Sequence, residues 1–270
     1  MKRKINLVGN SFTHLTGGNK GYSTHGKESK YIEWVTDETL PETMYVDSWL
    51  SLAFRDNIEG TKYGWLLESK EVASQIFSDV RENYKKYFEV FECIFTHSKE
   101  LLELDERFKW CPANGYWIGE AKIYPKSKMI SFITSNKNFT PGHKKRLNWV
   151  EMIGDQVDLF GRGFNEISSK EDGLCDYMFS VVIENGFYSS YFTEKILDCF
   201  ATGTIPVYMG SPDIGDYFNK DGIIDLTEEF EVSEEIYSSK MDAIKENLEK
   251  VKEIEVLEDF IFTTYLKNKK

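Results

Sequence analysis

The chain has 270 residues, of which 41% are hydrophobic and 15% aromatic, and a formal net charge of −12. That is enough apolar surface for one large core or two small ones, and it excludes an intrinsically disordered chain. The acidity argues against a nucleic-acid-binding surface as the main function. No run of about 18 apolar residues reads as a membrane span.

The start, MKRKINLVGNSF, is basic but its apolar stretch is too short for a signal peptide, so the expected location is cytoplasmic. Residues 4–8 read as a first strand, followed by a long Gly/Ser/Thr-rich loop over 9–30. His14 and His25 in that loop lack partners at metal-ligand spacing and read as solvated. Residues 31–35 form a short strand, and 47–55 a mixed apolar segment. In YGWLLES, 63–69, the run Trp65-Leu66-Leu67 makes a compact strand, and Glu68 emerges at its carboxyl end. A helix over 70–88 follows, with Val72, Ile76, Val80 and Tyr84 on one face. A carboxylate at that place is either a helix N-terminal acid favoured by the dipole or a presented catalytic group.

A strand over 92–96 and a Ser-capped helix over 98–104 come next. The loop WCPANGYWI, 110–118, either lines a sugar site or fills space between two domains. The Lys-rich segment 122–128, with Pro125, reads as an interdomain linker. The four cysteines, Cys93, Cys111, Cys175 and Cys199, include no C-x-x-C pair, which points to a reducing compartment and no disulfide framework.

The second half opens with a strand over 129–134 that ends in Ser135-Asn136. A helix then runs from Thr140 to about Gly154, with Lys144, Lys145 and Arg146 in its early turns. The strand 157–160 is closed by Gly161-Arg162-Gly163. Residues 177–212 read as a βαβ unit. Its first strand, 178–183, is broken by Glu184-Asn185-Gly186. Thr193 caps a helix with Ile196, Leu197 and Phe200 on one face, Gly203 stops it, and 205–209 is the second strand. Polar residues gather at the carboxyl end of the first strand and the helix start, the edge where open α/β sheets bind ligands. The helix N-terminus and Lys195 suit a phosphate; Glu194 would repel one and suits a ribose diol; Tyr191 can stack on the same ligand. On the residues alone, an ordinary surface Glu–Lys pair explains Glu194 and Lys195 as well. A turn at 217–219, a short strand at 223–225 and helical patterns over 232–265 complete the chain.

The segment FSVVIENGFYSSYFTEKILDCFATGTIPVYMGSPDI resembles the signature of the α-1,3/4-fucosyltransferases, glycosyltransferase family 10. The matching pieces are Glu184-Asn185, Tyr191-Phe192-Thr193-Glu194-Lys195, Ile205-Pro206-Val207 and Gly210-Ser211-Pro212. Upstream, Ser135-Asn136, Arg146 and Val157-Asp158-Leu159-Phe160-Gly161 are similar to a second family block, and Glu68-Ser69 to the place where the family presents its base. The lack of a membrane anchor and of cysteine pairs makes the chain resemble the soluble bacterial or viral type.

The resemblance implies an α/β fold of the GT-B type, two Rossmann-like domains facing across a cleft. Residues 1–126 would be the acceptor side, 127–228 the nucleotide-sugar domain, and 229–270 helices packing back toward the N-terminal domain. It implies an inverting α-1,3-fucosyltransferase using GDP-fucose. Arg146 and Lys195 would bind the diphosphate, Glu194 the ribose, and Glu184 the sugar hydroxyls. Tyr191, Asn185, Ser135 and Asn136 would complete the donor site. Glu68 would take the acceptor proton in a single displacement without a protein nucleophile. No Asp-x-Asp motif occurs, so no metal and no obligatory cofactor is expected.

The expected partners are a nucleotide sugar and a glycan acceptor, with no nucleic acid. A lipid-linked acceptor would add peripheral membrane association, and the oligomeric state stays open. Competing readings are another nucleotide sugar on the same fold, or a non-catalytic glycan-binding protein. A dinucleotide-binding dehydrogenase is disfavoured because no G-x-G-x-x-G follows a strand.

Overall fold

A computed structural model describes residues 2–9, 12, 21–227 and 229–268. The chain divides into two compact units, Met1–Gly115 with Glu255–Lys270, and Tyr116–Ile254.

In the first unit six strands run parallel: β1 (Arg3–Val8), β2 (Ile32–Val35), β3 (Glu42–Val46), β4 (Thr61–Leu66), β5 (Phe91–Thr96) and β6 (Phe108–Trp110). Their order is β2-β1-β3-β4-β5-β6. A parallel sheet has to be covered on both faces. On one face the 3-10 segment Asp47–Phe54, helix α1 (Ser74–Tyr87) and the short helix α2 (Lys99–Leu102) bring Leu50, Ile76, Phe77, Val80 and Leu101 onto Tyr45, Leu66 and Ile94. On the other, helix α7 (Leu257–Ile261) and the π-turn Phe262–Leu266 bury Leu257, Ile261 and Leu266 against Ile5, Ile32, Met44 and Trp65. Glu258 ties that helix down: its carboxylate accepts the Ser23 amide and hydroxyl, both at 2.7 Å, and the Trp34 indole N–H at 2.9 Å.

The second unit also has a parallel sheet, of β7 (Lys128–Ile133), β8 (Asp158–Phe160), β9 (Tyr177–Ile183), β10 (Ile205–Met209) and β11 (Ile224–Asp225). The order is β11-β10-β9-β7-β8. Counted within each unit, both sheets have the doubly wound order in which the first strand is flanked by the second and the third. The switch point therefore lies between β1 and β3 in one unit and between β7 and β9 in the other, and ligands bind beyond the carboxyl ends there. This pair of Rossmann-like units is the composition of the GT-B type.

Helices α3 (Pro141–Ile153), α4 (Glu194–Thr202), α5 (Glu234–Ser239) and α6 (Met241–Lys252) cover the second sheet. Helix α4 runs from the Thr193 cap to Gly203, which takes the left-handed φ of 71° that suits a helix stop.

The division of the chain differs from the sequence expectation in two places. Residues 229–254 stay with the second unit, and only the final stretch from Glu255 joins the first. Tyr237 and Ile244 are buried with Phe179 and Ile205, and the Tyr237 hydroxyl donates to the Gly203 carbonyl at 2.8 Å. The boundary also falls at Tyr116 instead of after 126. The supposed linker lysine Lys126 is anchored in the second unit. Its ammonium is enclosed by the carbonyls of Leu174, Cys175 and Thr202 and the Thr204 hydroxyl, at 2.9–3.2 Å, and burial pushes it down to about 8.

Candidate active site

Two helix N-termini converge on the carboxyl edge of β7 and β9. At the first, the Thr140 hydroxyl accepts the His143 amide at 3.1 Å and His143 Nδ1 accepts the Thr140 amide at 3.2 Å. This reciprocal capping box is reinforced by proline in the first turn. Burial, with Arg146 nearby, pushes His143 down to about 4, so the ring is neutral and its nitrogen free to accept. Helix α3 then rests directly on the end of β9: the Gly142 amide donates to the Asn185 carbonyl at 3.1 Å. A Cβ on Gly142 would lie 1.9 Å from the Glu184 carbonyl oxygen, so only glycine permits this approach.

Arg146, one turn further along α3, is 4% exposed. Its Nη1 donates to the Ile183 carbonyl at 2.7 Å and its Nη2 to Asn185 Oδ1 at 2.8 Å. Burial lowers its pKa while Glu184, Glu194 and Tyr191 pull it back up; a guanidinium keeps its charge through such shifts.

The second N-terminus, that of α4, is organised by Glu184. This carboxylate was expected to face sugar hydroxyls, and the structure corrects that. Glu184 is 0% exposed. Its two oxygens accept the Thr193 amide at 2.9 Å and the Thr193 hydroxyl at 2.7 Å. Burial pushes Glu184 up and Lys195 opposes it. Glu184 thus holds the cap of α4, nine residues ahead of it.

Lys195 Nζ lies 3.1 Å from both Thr193 Oγ1 and Glu194 Oε1, and 3.7 Å from Glu184 Oε2. For Glu194, burial acts upward, but Lys195 and Lys170 outweigh it and hold the carboxyl at about 2. Arg146, Asn185, Glu184, Lys195 and Glu194 therefore form one linked set of alternating charge at the switch point. Ser135 and Asn136 follow β7 at the same edge, half-buried and exposed respectively, with the Asn136 amide donating to the Arg162 carbonyl at 3.1 Å. Tyr191 departs from expectation. It is buried and its ring stacks on Tyr188, centroids 4.7 Å apart, instead of standing open to a ligand.

Lys170 and Asp198 belong to the same set without having been expected. Lys170 sits in a polar stretch with no local signal. Asp198 has one: an acid on a helix otherwise lined by Ile196, Leu197, Cys199 and Phe200.

In the first unit Glu68 is exposed at the carboxyl end of β4. Its backbone is held from both sides. The Leu67 and Glu68 amides donate to Asp47 Oδ1 at 2.8 and 3.1 Å, and His97 Nε2 lies 3.0 Å from the Glu68 carbonyl, to which it donates. Asp47 pays for this position with a φ of 50°. His97 is wholly buried, which pushes it down to about 4 and leaves it neutral. His25 is exposed, and His14 lies outside the described residues. Among the described residues no group of three or more His, Cys, Asp or Glu could hold a metal ion.

Residues 123–253 match the family description "Glycosyltransferase family 10 (fucosyltransferase) C-term". The matched stretch lies within the second unit, Tyr116–Ile254. All the donor-side candidates, from Ser135 to Lys195, lie inside that stretch. The chain is 31% identical over 104 residues to the alpha-(1,3)-fucosyltransferase FucT of Helicobacter pylori, an alignment covering 37% of this chain and 22% of the relative. It is 25% identical over 96 residues to 4-galactosyl-N-acetylglucosaminide 3-alpha-L-fucosyltransferase 9 of Cricetulus griseus, covering 33% and 25%. The similar stretch thus spans no more than 25% of the length of either relative. In fold, a crystal structure of alpha1,3-fucosyltransferase matches with a TM-score of 0.52 at 15% identity, over 99% of this chain and 90% of that one. A second, with GDP-fucose, matches with a TM-score of 0.50 at 15% identity, over 100% and 91%.

Proposed function

We propose that the protein is an inverting α-1,3-fucosyltransferase that moves fucose from GDP-fucose to a hydroxyl of a glycan acceptor. The observation that carries the proposal is the pair of helix N-termini with Arg146 and Lys195 at the switch point of the second unit, inside the stretch that matches family 10. The diphosphate lies in the positive field of the α3 and α4 N-termini and takes the ammonium of Lys195. Two of the five N–H donors of Arg146 brace β9, and its charge adds to the same field. Glu194, ionised, accepts hydrogen bonds from the ribose diol. Asn185, Ser135 and Asn136 line the same edge. Glu184 and Tyr191 shape the α4 cap and its loop from within.

Chemically, the acceptor oxygen attacks the anomeric carbon while its proton passes to Glu68. The bond from that carbon to the phosphate oxygen breaks, and its electron pair stays on the leaving GDP. Lys195, Arg146 and the helix N-termini stabilise the charge that develops there, the role often given to a metal. One displacement inverts the anomeric centre.

The four free thiols fit a reducing compartment, and we place the protein in the cytoplasm. Among the described residues no helix is long and apolar enough to cross a membrane. The acceptor we expect is a cell-surface glycan such as lipopolysaccharide, met at the membrane surface when it is lipid-linked. The test is a thermal-shift panel of GDP, UDP and ADP, followed by transfer from GDP-fucose to a 4-galactosyl-N-acetylglucosaminide probe. GDP alone should stabilise the protein and labelled fucose should appear on the probe. Stabilisation by UDP and not by GDP would replace the proposal with a different donor, and nucleotide binding without transfer to any glycan would replace it with a binding protein.

A further inference from the structure

The second unit contains a buried ion pair that the transfer steps above leave unused. Lys170 opens the 3-10 turn Lys170–Gly173, and Asp198 lies on α4. Lys170 Nζ is 2.6 Å from Asp198 Oδ2 and 3.6 Å from Glu194 Oε1. It also sits 4.2 Å from the ring centroid of Trp117. The other Asp198 oxygen accepts the Trp117 amide at 2.6 Å. Asp198 is 0% exposed.

A buried ion pair is weak evidence of stabilisation, because apolar residues of the same volume often serve a fold as well or better. What distinguishes this pair is where the ammonium points. Asp198 and the Trp117 ring fix Lys170 from two sides, and the remaining direction leads to Glu194. That carboxylate therefore stands between two ammonium groups, Lys195 at 3.1 Å and Lys170 at 3.6 Å. Both ammonium groups meet its Oε1, so the carboxylate cannot rotate without drawing away from one of them. The same two cations keep it ionised against the upward push of burial.

We propose that Lys170, locked by Asp198 and Trp117, is a positioning residue that orients Glu194 to receive the ribose diol of the donor. The inference rests on the reading of Glu194 as the ribose acceptor. Without Lys170 only Lys195 holds Oε1, and the carboxylate can rotate its lone pairs away from the diol. Ribose recognition should then fall more than diphosphate binding does.

The test compares GDP with 2′,3′-dideoxy-GDP, which lacks the diol and keeps the base and diphosphate. Dissociation constants are measured by calorimetry for the wild type, Glu194→Gln, Lys170→Met, Lys170→Arg and Asp198→Asn. The wild type should prefer GDP at least about tenfold, the value of a charge-assisted hydrogen bond. Glu194→Gln should reduce that preference to near unity. Lys170→Met and Asp198→Asn should remove most of it while binding dideoxy-GDP within about threefold of wild type, and Lys170→Arg should restore part. Asp198→Asn keeps the side-chain volume and serves if Lys170→Met does not fold. If Glu194→Gln abolishes the preference but the Lys170 and Asp198 variants keep it, or weaken both nucleotides equally, the positioning role is overturned and the ribose reading stands. If Glu194→Gln leaves the preference intact, the ribose reading fails and the positioning role with it.

Discussion

Replacing Gly142 by alanine adds one methyl group where α3 rests on the end of β9. The new carbon would lie 1.9 Å from the Glu184 carbonyl oxygen and 2.6 Å from Asn185 Cα, both backbone, whereas ordinary contact begins near 3.4 Å. Helix and strand end must therefore part by roughly 1.5 Å, since neither neighbour is a flexible side-chain tip. The separation breaks the Gly142–Asn185 backbone bond of 3.1 Å and strains the Arg146–Asn185 bond of 2.8 Å. A neutral hydrogen bond is worth about 1 kcal/mol and a charged one about 1.5–3 kcal/mol. The usual helical gain from Gly to Ala, about 0.5–1 kcal/mol, acts in the opposite direction. The net expectation is a loss of roughly 2–3 kcal/mol, read from urea unfolding. Donor affinity should fall about 100-fold, because an ångström-scale shift of the α3 N-terminus carries its positive end and Arg146 away from the diphosphate. A Gly142→Ala protein as stable as wild type or more so, with unchanged GDP binding, would refute the claim that this contact builds the site.

Glu68→Gln should lower the transfer rate by about 10²–10⁴ while donor KM changes little, because the amide cannot take the acceptor proton; a rate within about threefold of wild type removes Glu68 from the role of base. Acid should destabilise the fold through His97. Its unfolded-state value of 6.5 lies above the folded value of about 4, so the unfolded chain binds the extra proton and stability is lost as pH falls from 6.5 toward 4. From His97 alone the loss between about pH 7 and about pH 5 is roughly 2 kcal/mol, and His143, also near 4, adds in the same direction. Urea midpoints that do not change over that range would contradict the buried neutral assignment. Transfer should persist in EDTA to within about twofold, since Lys195 and Arg146 meet the leaving charge; a strict requirement for a divalent ion would show that they do not suffice.

The β9–α4–β10 unit was legible from sequence because its signals are local. Two apolar runs bracket a helix with Thr193 at one end and Gly203 at the other, and the structure places Tyr177–Ile183, Glu194–Thr202 and Ile205–Met209 there. Strand β3 was not legible. Its ETMYV is five residues long and buried on both faces, so it shows no alternation to read. Helix α1 starts at Ser74, later than its hydrophobic spacing suggested, because the preceding residues fold into a turn with the Val72 and Ala73 amides on the Ser69 carbonyl.

At the site, residue types near helix starts could be picked out, but not the direction in which each side chain points. Glu184 at a strand end looks like a ligand-facing acid until Thr193 is seen to fold back onto it. Lys126 beside Pro125 has the composition of a linker, and only the tertiary fold shows its ammonium enclosed by carbonyls. The Lys170–Asp198 pair joins residues 28 apart, beyond the reach of any local pattern.

The proposed function puts the diphosphate of GDP-fucose at Lys195 in the second unit, with Glu68 acting only on the acceptor. Calorimetric titration of GDP-fucose into the wild type, Lys195→Ala and Glu68→Gln tests it most directly. The account predicts equal affinity for the wild type and Glu68→Gln, and binding at least about 100-fold weaker for Lys195→Ala, as befits loss of a charge-assisted contact in a partly buried site. Undiminished binding by Lys195→Ala would contradict it.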